Sequence, residues 1–224
     1  MTILVTGGAG YVGSHVVHEL ADAGERTVVL DDLSTGFPRS VPKIAPLIVG
    51  DCGMPDLLDA VIGDHKVTAI IHLAASVVVP DSVKDPLRYY KNNVVNTRTL
   101  IEAAVRGRVP HFIFSSTAAV YGNPAQVPVT EDTPVQPISP YGRSKLMSEL
   151  MLGDAAQAHG FGVAVLRYFN VAGADPRLRT GQSSRNATHL IKVAVETCRG
   201  DALLAGGRPL GHAQLWVWPR HLGT

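Results

Sequence analysis

The sequence has little cysteine, almost no net charge and no long apolar run, and each shortage excludes a class of protein. Its two cysteines, Cys52 and Cys198, lack C-x-x-C spacing and a disulfide-dense pattern, which argues against a thiolate metal site and suits a reducing compartment. Lys and Arg number 20 against 19 Asp and Glu, so no nucleic acid is expected as a partner. No stretch of about 18 apolar residues and no basic leader occur, so we expect a soluble cytoplasmic protein without a membrane partner.

The chain is apolar enough to bury a core, since 46% of its 224 residues are hydrophobic and 17% are charged. Short apolar runs typical of buried strands begin at Ile3, Thr27, Pro46, Ala69, His111 and Val163. Helix-like stretches lie between them, at residues 11–23, 55–65, 87–106 and 141–159. This alternation predicts an α/β fold with a Rossmann-type, doubly wound parallel sheet.

Three segments are expected along the chain. Residues 1–170 contain the alternating strands and helices, and residues 171–200 run from a polar loop to the helix-like stretch "ATHLIKVAVETC". Residues 201–224 have no helix or strand period and hold both tryptophans. This change of texture is what a frameshifted or prematurely ended reading frame would give, and comparing the coding DNA in all frames tests it.

A glycine-rich turn follows the first predicted strand. In "VTGGAGYVGSH", Gly7, Gly10 and Gly13 have G-x-x-G-x-x-G spacing between a strand and a helix that Tyr11 and Val12 open. Such a turn lets the backbone approach a pyrophosphate, and the N–H groups of a helix N-terminus favour negative charge. The turn therefore predicts a dinucleotide site.

Two carboxylates follow the next strands. Asp31 closes the second strand, where a carboxylate can accept hydrogen bonds from an adenosine ribose and repel the 2′-phosphate of NADP. No arginine immediately follows it, which favours NAD; the alternative is that Asp31 and Asp32 only cap a turn. Asp51, after the third strand, is a candidate for the adenine edge.

The motif "SPYGRSK" carries the candidate chemistry. Tyr141 and Lys145 lie four residues apart, on one face of a predicted helix. A tyrosine with an ordinary pKa of about 10 needs a cation to act as a base, so we expect Lys145, with a positive nicotinamide ring, to lower that pKa. Thr117 can supply a hydroxyl to the substrate, although its Ser-Ser-Thr run could also satisfy strand-end carbonyls. Asn92, in "YYKNN", is a further candidate, and the alternative is that it is only a helix-interior or cap residue.

Together these motifs resemble the extended short-chain dehydrogenases/reductases, and within them the 4-epimerases of UDP-sugars. The resemblance covers about residues 1–200 and also rests on "IIHLAA", "DPLRYYKNNV", "FIFSSTAAVYG" and "LRYFNVAGA". It implies that Tyr141 is the catalytic base, that Lys145 is its partner and also holds the nicotinamide ribose, and that Thr117 lies beside the sugar. Further residues implied at the cofactor, sugar or UDP are Asn92, Tyr168, Phe169, Asn170 and His189.

The resemblance implies interconversion of UDP-glucose and UDP-galactose through a 4-keto sugar, with NAD held as a prosthetic group. The 4,6-dehydratases of the same family carry an acidic pair after the strand-end hydroxyl residue. This chain has Ala118 and Ala119 there, which disfavours elimination. A lysine that some epimerases carry around Ser76 or Val77 is also absent, which leaves one phosphate or cofactor contact unassigned.

The chain departs from the family after about residue 200, where longer members complete the sheet and the uridine pocket. The resemblance therefore implies that residues 1–170 are the NAD-binding domain and that residues 171–200 are the start of a substrate-binding region. Most of the smaller C-terminal substrate domain is expected to be missing, with apolar surface left uncovered. Two alternatives stay open, a non-catalytic NAD-binding remnant and a reductase that releases NADH. The identity of the UDP-sugar stays open as well. The resemblance also implies a homodimer through residues 87–106 and 141–159.

Overall fold

A single parallel sheet organises the chain. The computed structural model describes residues 1–183 and 190–198. Six strands pair in the order β3-β2-β1-β4-β5-β6, all parallel. Their bounds are β1 Thr2–Thr6, β2 Arg26–Asp31, β3 Leu47–Val49, β4 Ala69–His72, β5 His111–Ser115 and β6 Gly162–Leu166. Each predicted apolar run is thus a strand.

Seven helices are described. They are α1 Tyr11–Asp22, α2 Pro55–His65, α3 Val79–Lys84, α4 Pro86–Tyr90, α5 Asn96–Arg106, α6 Pro140–His159 and α7 Leu190–Cys198. A π-helical turn, Lys91–Val95, joins α4 to α5, so the predicted helix over residues 87–106 is continuous but locally widened. The sequence did not predict α3 or the 3₁₀ turns Pro38–Ser40 and Ala118–Tyr121.

The two faces of the sheet bury two hydrophobic clusters. Leu4, Ile70 and Phe112 face the larger cluster, where Leu58 of α2 and Leu100 of α5 cover them. The next residue along each strand points the other way, because strand side chains alternate. Each fully buried Leu or Phe stabilises the fold by about 1.5–3 kcal/mol.

On the second face, Ile3, Val5 and Val29 pack against Val17 of α1. Helices therefore cover both faces, and the predicted doubly wound Rossmann-type sheet is confirmed.

The edge strand β6 is covered on one face. Val163 and Val165 pack against the larger cluster, while Ala164 and Leu166 are exposed and the Leu166 side is 46% accessible. Among the described residues this leaves two apolar side chains exposed on β6.

Helix α6 carries clear boundary signals. Ser139 is its N-cap and accepts the Gly142 N–H at 3.1 Å, and Pro140 occupies the first turn. Gly160, in a left-handed conformation at φ 73°, ends it. These residues fix where the helix starts, and so where Tyr141 and Lys145 stand relative to the sheet.

No helix among residues 1–183 and 190–198 has the length and apolarity to span a membrane. The tail predicted at residues 201–224 lies outside the described residues. The predicted boundary between residues 170 and 171 falls just after β6.

Candidate functional site

The predicted site residues come to one edge of the sheet. The six strands are parallel, so their carboxyl ends meet at the same edge. The glycine turn follows β1, Asp31 ends β2, Asp51 follows β3, Thr117 follows β5 and Tyr168 follows β6. Residues far apart in the sequence thereby line one crevice.

The glycine turn is closely packed. Gly7 has φ +73° and donates its N–H to the Leu30 carbonyl at 2.9 Å, which ties the turn to β2. A Cβ on Gly13 would lie 2.1 Å from the Gly7 carbonyl oxygen, so only glycine lets α1 approach the turn. Gly10 precedes α1 without a side-chain cap, and the first turn, which Tyr11 and Val12 begin, holds no acid. The helix dipole therefore presents its positive end to an anion.

Asp31 is buried beside this turn. One carboxylate oxygen accepts the Ala9 N–H at 2.9 Å and the other accepts the Leu33 N–H at 2.8 Å. Burial raises the pKa of Asp31, and these two hydrogen bonds oppose the rise. The Leu33 contact is the turn cap of the alternative hypothesis, whereas the Ala9 contact joins the carboxylate to the glycine turn. Each oxygen keeps a further lone pair for a ligand hydroxyl.

Asp51 and Asn92 belong to one hydrogen-bond network. Asn96 donates from Nδ2 to Asp51 Oδ1 at 2.9 Å and to Asn92 Oδ1 at 3.3 Å. Asn92 in turn donates to the Ser76 hydroxyl at 2.9 Å. The network connects the loop after β3 to the loop after β4 through the π-helical turn. Both predicted cofactor residues thus lie along the same side of the crevice.

Asn93 holds the next link, which the sequence analysis did not assign. Its side chain is buried, accepts the Ser76 N–H at 2.8 Å and donates to the Ser76 carbonyl at 2.9 Å and the Ser144 hydroxyl at 3.0 Å. The Asn93 carbonyl accepts hydroxyls from Thr97 and Ser148, each at 2.7 Å. Side-chain hydroxyls therefore hydrogen-bond the backbone carbonyl of Asn93 in the wider π turn. Nothing in the motif distinguishes Asn93 from Asn92.

Tyr141 and Thr117 meet at the carboxyl end of β5. The Thr117 hydroxyl hydrogen-bonds Tyr141 and also accepts the Ala119 N–H at 3.1 Å. Burial raises the pKa of Tyr141 to about 12, and the Thr117 hydrogen bond opposes that rise. Burial therefore sets the direction of this shift, and the lowering expected from Lys145 together with a nicotinamide ring stays a prediction.

Lys145 is almost completely buried. Its ammonium donates to the Ser115 carbonyl at 2.9 Å and lies 4.9 Å from the centre of the Phe114 ring. Burial lowers the pKa of Lys145 to about 8. With this pKa, Lys145 is still charged in about nine tenths of the molecules at pH 7. Lys145 thus holds a positive charge at the end of β5, one helical turn from Tyr141.

The end of β6 is joined to the same centre. The hydroxyls of Tyr168 and Ser115 hydrogen-bond each other. Phe169 is half-buried and Asn170 is exposed, and their roles toward a substrate stay predictions. His189, predicted to contact UDP, lies outside the described residues.

The motifs also did not indicate Glu149 and Arg167, which form an ion pair with 2.6 Å between Nη2 and Oε2. Glu149 is buried and Arg167 is partly buried. Glu149 follows Lys145 by four residues, as Lys145 follows Tyr141. Continuing the helical spacing by one step places Glu149 on the same face, but it does not show its partners.

His72 has a structural role. It is buried at the end of β4, where Nδ1 hydrogen-bonds Thr6 Oγ1 at 2.6 Å and Nε2 hydrogen-bonds Thr97 Oγ1 at 2.8 Å. Burial, with a smaller effect of Lys145, lowers the pKa of His72 to about 3, so the ring is neutral. Within residues 1–183 and 190–198, no group of three or more His, Cys, Asp or Glu side chains could hold a metal ion.

Comparison with known proteins agrees with this arrangement. A model of the NAD dependent epimerase/dehydratase family matches residues 3–210. The chain belongs to this family. UDP-glucose 4-epimerase of Azospirillum brasilense is 57% identical over 198 residues, which cover 88% of this chain and 57% of that protein.

Solved structures resemble this epimerase/dehydratase chain closely. The UDP-glucose 4-epimerase of Brucella ovis in complex with NAD has a TM-score of 0.88 at 41% identity, covering 90% of this chain and 62% of that one. The enzyme of Bifidobacterium longum in complex with NAD⁺ and UDP has a TM-score of 0.86 at 32% identity, covering 90% and 63%. The chain spans less than two thirds of the length of these relatives.

In this epimerase/dehydratase chain, the segment after β6 folds back onto α1. The Tyr11 hydroxyl donates to the Gly173 carbonyl at 2.7 Å, and the hydroxyls of Ser14 and Thr180 are 2.6 Å apart. The predicted start of the substrate-binding region therefore contacts the helix that begins at the glycine turn.

Four charged residues, Asp22, Asp175, Arg177 and Arg179, form a clasp between this segment and α1. Arg179 donates to both carboxylates of the clasp, at 2.8 Å to Asp175 and 2.9 Å to Asp22. Arg177 also pairs with Asp22. Arg179 holds the pKa of Asp22 and of Asp175 below the ordinary value. Such carboxylates stabilise the clasp above their ordinary pKa of about 4, and the contribution is lost as the pH falls through the lowered values.

Removal of Arg179 should release the segment. In Arg179→Ala both carboxylates lose their shared partner, so we expect severalfold faster amide hydrogen exchange in residues 173–181, measured by mass spectrometry. Arg98→Ala, which removes an exposed ion pair with Glu102 on α5, is the control and should leave this segment unchanged. Equal exchange in the two variants would show that the clasp does not hold the segment.

Proposed function

We propose that the chain binds NAD and carries the catalytic residues of a UDP-sugar 4-epimerase, which interconverts UDP-glucose and UDP-galactose. The observation that carries the proposal is the meeting of Tyr141, Thr117 and Lys145 at the end of β5, in a crevice that begins at the glycine turn. The relatives named UDP-glucose 4-epimerase support the reaction and the substrate class.

NAD fits the residues of the crevice. The uncapped N-terminus of α1 and the glycine turn can bind a pyrophosphate, because they offer backbone N–H groups and the positive end of a helix dipole. Asp31 can accept from the adenosine ribose, and its negative charge disfavours a 2′-phosphate. We assign Asp51 to the adenine edge and Asn92 to the cofactor pocket, and the hydrogen-bond network that includes both residues supports this assignment. Bound NAD supplies reversible oxidation at sugar C4 and is regenerated in each turnover.

The protein's own contribution is proton transfer and charge. Tyr141 takes the proton of the sugar 4-hydroxyl, and the Thr117 hydroxyl orients that group. With a pKa of about 12, only roughly one Tyr141 in 10⁵ is a phenolate at pH 7. The base therefore needs more positive charge than Lys145 alone gives, and the cationic nicotinamide ring is the group that would supply it.

Residues after Thr117 favour epimerisation over elimination. Ala118 and Ala119 form a 3₁₀ turn, and the Ala118 N–H donates to the Tyr168 carbonyl at 3.0 Å. Neither alanine side chain can remove a proton from sugar C5 or donate one to a leaving group at C6. We therefore propose that the 4-keto sugar is reduced again and that no water is eliminated.

A direct assay tests the proposal. Purified chain is incubated with NAD and UDP-galactose, and UDP-glucose is measured by chromatography, while calorimetry measures NAD binding. We expect UDP-glucose to form and bound NAD to remain. NAD binding without product would leave only the cofactor-binding function, and release of stoichiometric NADH would support a reductase. Failure to bind NAD would contradict the proposal entirely.

We also propose a homodimer in the cytoplasm. Exposed apolar side chains lie on α4, α6 and the π turn, including Leu87 at 76%, Leu150 at 61% and Val95 at 45%. Helix α6 packs against both α4 and the π turn, and exposed apolar residues on neighbouring elements can form an interaction surface. The sequence predicts that each subunit contributes these same helices, residues 87–106 and 141–159, to the dimer interface.

A charge in this surface should separate the subunits. In Leu150→Glu, a carboxylate would have to be buried without a partner, so we expect dimers to become monomers. Leu178→Glu is the control, because Leu178 is 89% exposed on the segment after β6. Sedimentation velocity measures both variants. A dimer that survives Leu150→Glu, or that Leu178→Glu disrupts equally, would contradict this interface.

A further inference from the structure

Glu149 continues the row of functional residues on α6. Tyr141, Lys145 and Glu149 follow one another at intervals of four, so they share a face of the helix. The Glu149 side chain is only 7% exposed. A carboxylate this deeply buried is stable only if its charge and its lone pairs are satisfied.

The partners of Glu149 come from the two strands that carry the predicted substrate residues. Ser116, which precedes Thr117, donates its hydroxyl to Oε1. Arg167, which precedes Tyr168, donates from Nε to both oxygens at 3.2 and 3.1 Å and from Nη2 to Oε2 at 2.6 Å. Glu149 thus links the carboxyl ends of β5 and β6 to α6.

Arg167 is itself held in place by Tyr121. Its Nη1 donates to the Tyr121 hydroxyl at 3.3 Å, and its guanidinium lies 5.3 Å from the centre of that ring. The rigid fork of Arg167 therefore reaches the Glu149 carboxylate in one orientation.

Glu149 also affects the charge of Lys145. Two titratable groups raise the pKa of Lys145, Cys52 in the loop after β3 and Glu149 on the same helix, and Lys145 in turn lowers the pKa of His72 on β4. Burial keeps the Cys52 thiol protonated, with a pKa of about 12, and keeps His72 neutral. Glu149 forms an ion pair with Arg167, and it raises the pKa of Lys145 against the effect of burial.

We infer that Glu149 is a positioning residue of the candidate active site, which holds the ends of β5 and β6 against α6 and keeps the Lys145 ammonium charged. The inference rests on the proposed function for its catalytic meaning. The contacts of Glu149 that support it involve only residues of this chain. Since the pKa of Lys145 is about 8, a modest fall would discharge the side chain at neutral pH.

The test measures the Lys145 ammonium directly. Lysine labelled with ¹³C at Cε is titrated by NMR in the full chain, and the Lys145 signal is assigned by its loss in Lys145→Met. In Glu149→Gln we expect the midpoint of the Lys145 titration to fall by about one pH unit, because an opposite charge is lost and Arg167 is left unpaired. Glu149→Asp keeps the charge and should recover most of that fall.

The direction of the change separates this role from a merely structural one. Loss of the fold would expose Lys145 and raise its midpoint toward the ordinary lysine value of about 10.4. Glu102→Gln, at an exposed ion pair of α5, is the control and should leave the midpoint unchanged. An unchanged or raised midpoint in Glu149→Gln would overturn the inference.

NAD binding and turnover distinguish this inference from the proposed function. If the unmodified chain binds no NAD, the proposed function fails, while the Lys145 titration still decides the role of Glu149. If the unmodified chain binds NAD, we expect calorimetry to show that binding by Glu149→Gln is lost at a lower alkaline pH. We also expect kcat to fall by a larger factor than KM changes. A pH profile identical to that of the unmodified chain would count against Glu149.

Discussion

Replacing Tyr141 by Phe should reduce epimerisation by about 10²–10⁴-fold, the usual contribution of a general base. The loss should fall on kcat, because the phenolic hydroxyl acts on the reacting proton and the ring that fills the site remains. NAD affinity should be unchanged, since the cofactor residues at the glycine turn and Asp31 are untouched. Formation of UDP-glucose from UDP-galactose and calorimetric NAD binding are the two measurements.

The expected loss depends on how the phenol is activated. Burial holds the pKa of Tyr141 at about 12, so the tyrosine is a poor base until a nearby cation stabilises the phenolate. We therefore expect addition of NAD to lower the pKa of Tyr141, observed as phenolate absorbance appearing at lower pH. This absorbance should be missing in Tyr141→Phe. Binding of NAD with no change in the tyrosine titration would contradict the base role.

Tyr90→Phe is the matched control for this substitution. Tyr90 is a half-buried tyrosine of α4 and lies outside the hydrogen-bond networks of the crevice described above. Its loss of one hydroxyl should leave turnover near that of the unmodified chain. Loss of a general base should reduce the rate far more than about tenfold. If Tyr141→Phe kept more than about a tenth of the rate, another group would have to remove the proton.

Local signals explain why most of the fold could be predicted. Buried parallel strands produce continuous apolar runs, and the helices between them have caps that the sequence shows, such as Ser139 before α6 and Gly160 after it. Short elements were missed for the opposite reason. Helix α3 has six residues, with Pro80 in its first turn, and its apolar run "VVVP" has no helical period.

The candidate site was predictable wherever a motif stands at the end of a strand. The glycine turn, Asp31 and the Tyr141–Lys145 spacing need only the local sequence and the rule that ligands bind at the carboxyl ends of parallel strands. Asn93 and Glu149 could not be assigned this way, because their roles depend on partners more than 15 residues away, on other elements. Spacing shows which residues share a face, and it does not show what faces them.

The pKa of Tyr141 shows the same limit in energetic form. The sequence places a cation one turn away, which alone would lower the pKa. It does not reveal that the phenol is buried, and burial raises its pKa to about 12 in the folded chain. Desolvation is a property of the packed structure, so its sign could be obtained only after the helix was placed against the sheet.

Replacing Gly13 by Ala should have the largest effect on the cofactor site. The added Cβ would lie 2.1 Å from the Gly7 carbonyl oxygen, 2.7 Å from Gly8 Cα and 2.8 Å from the Gly7 carbonyl carbon. All three atoms are backbone, so no side chain can rotate away, and α1 must move from the turn. We expect a loss of stability of about 3 kcal/mol, at the upper end for overpacking. NAD binding should be abolished, because the N-terminus of α1 would no longer face the turn.

Gly153→Ala gives the matched control. Gly153 lies in the interior of α6, and no atom outside its own helix and its chain neighbours is found within 4 Å of an added Cβ. Alanine there should stabilise the chain by about 0.5–1 kcal/mol, because glycine is the weaker helix former. Urea unfolding measures both variants, and calorimetry measures their NAD binding. If Gly13→Ala unfolded at the same urea concentration as the unmodified chain and still bound NAD, the close packing of α1 on the turn could not be what builds the cofactor site.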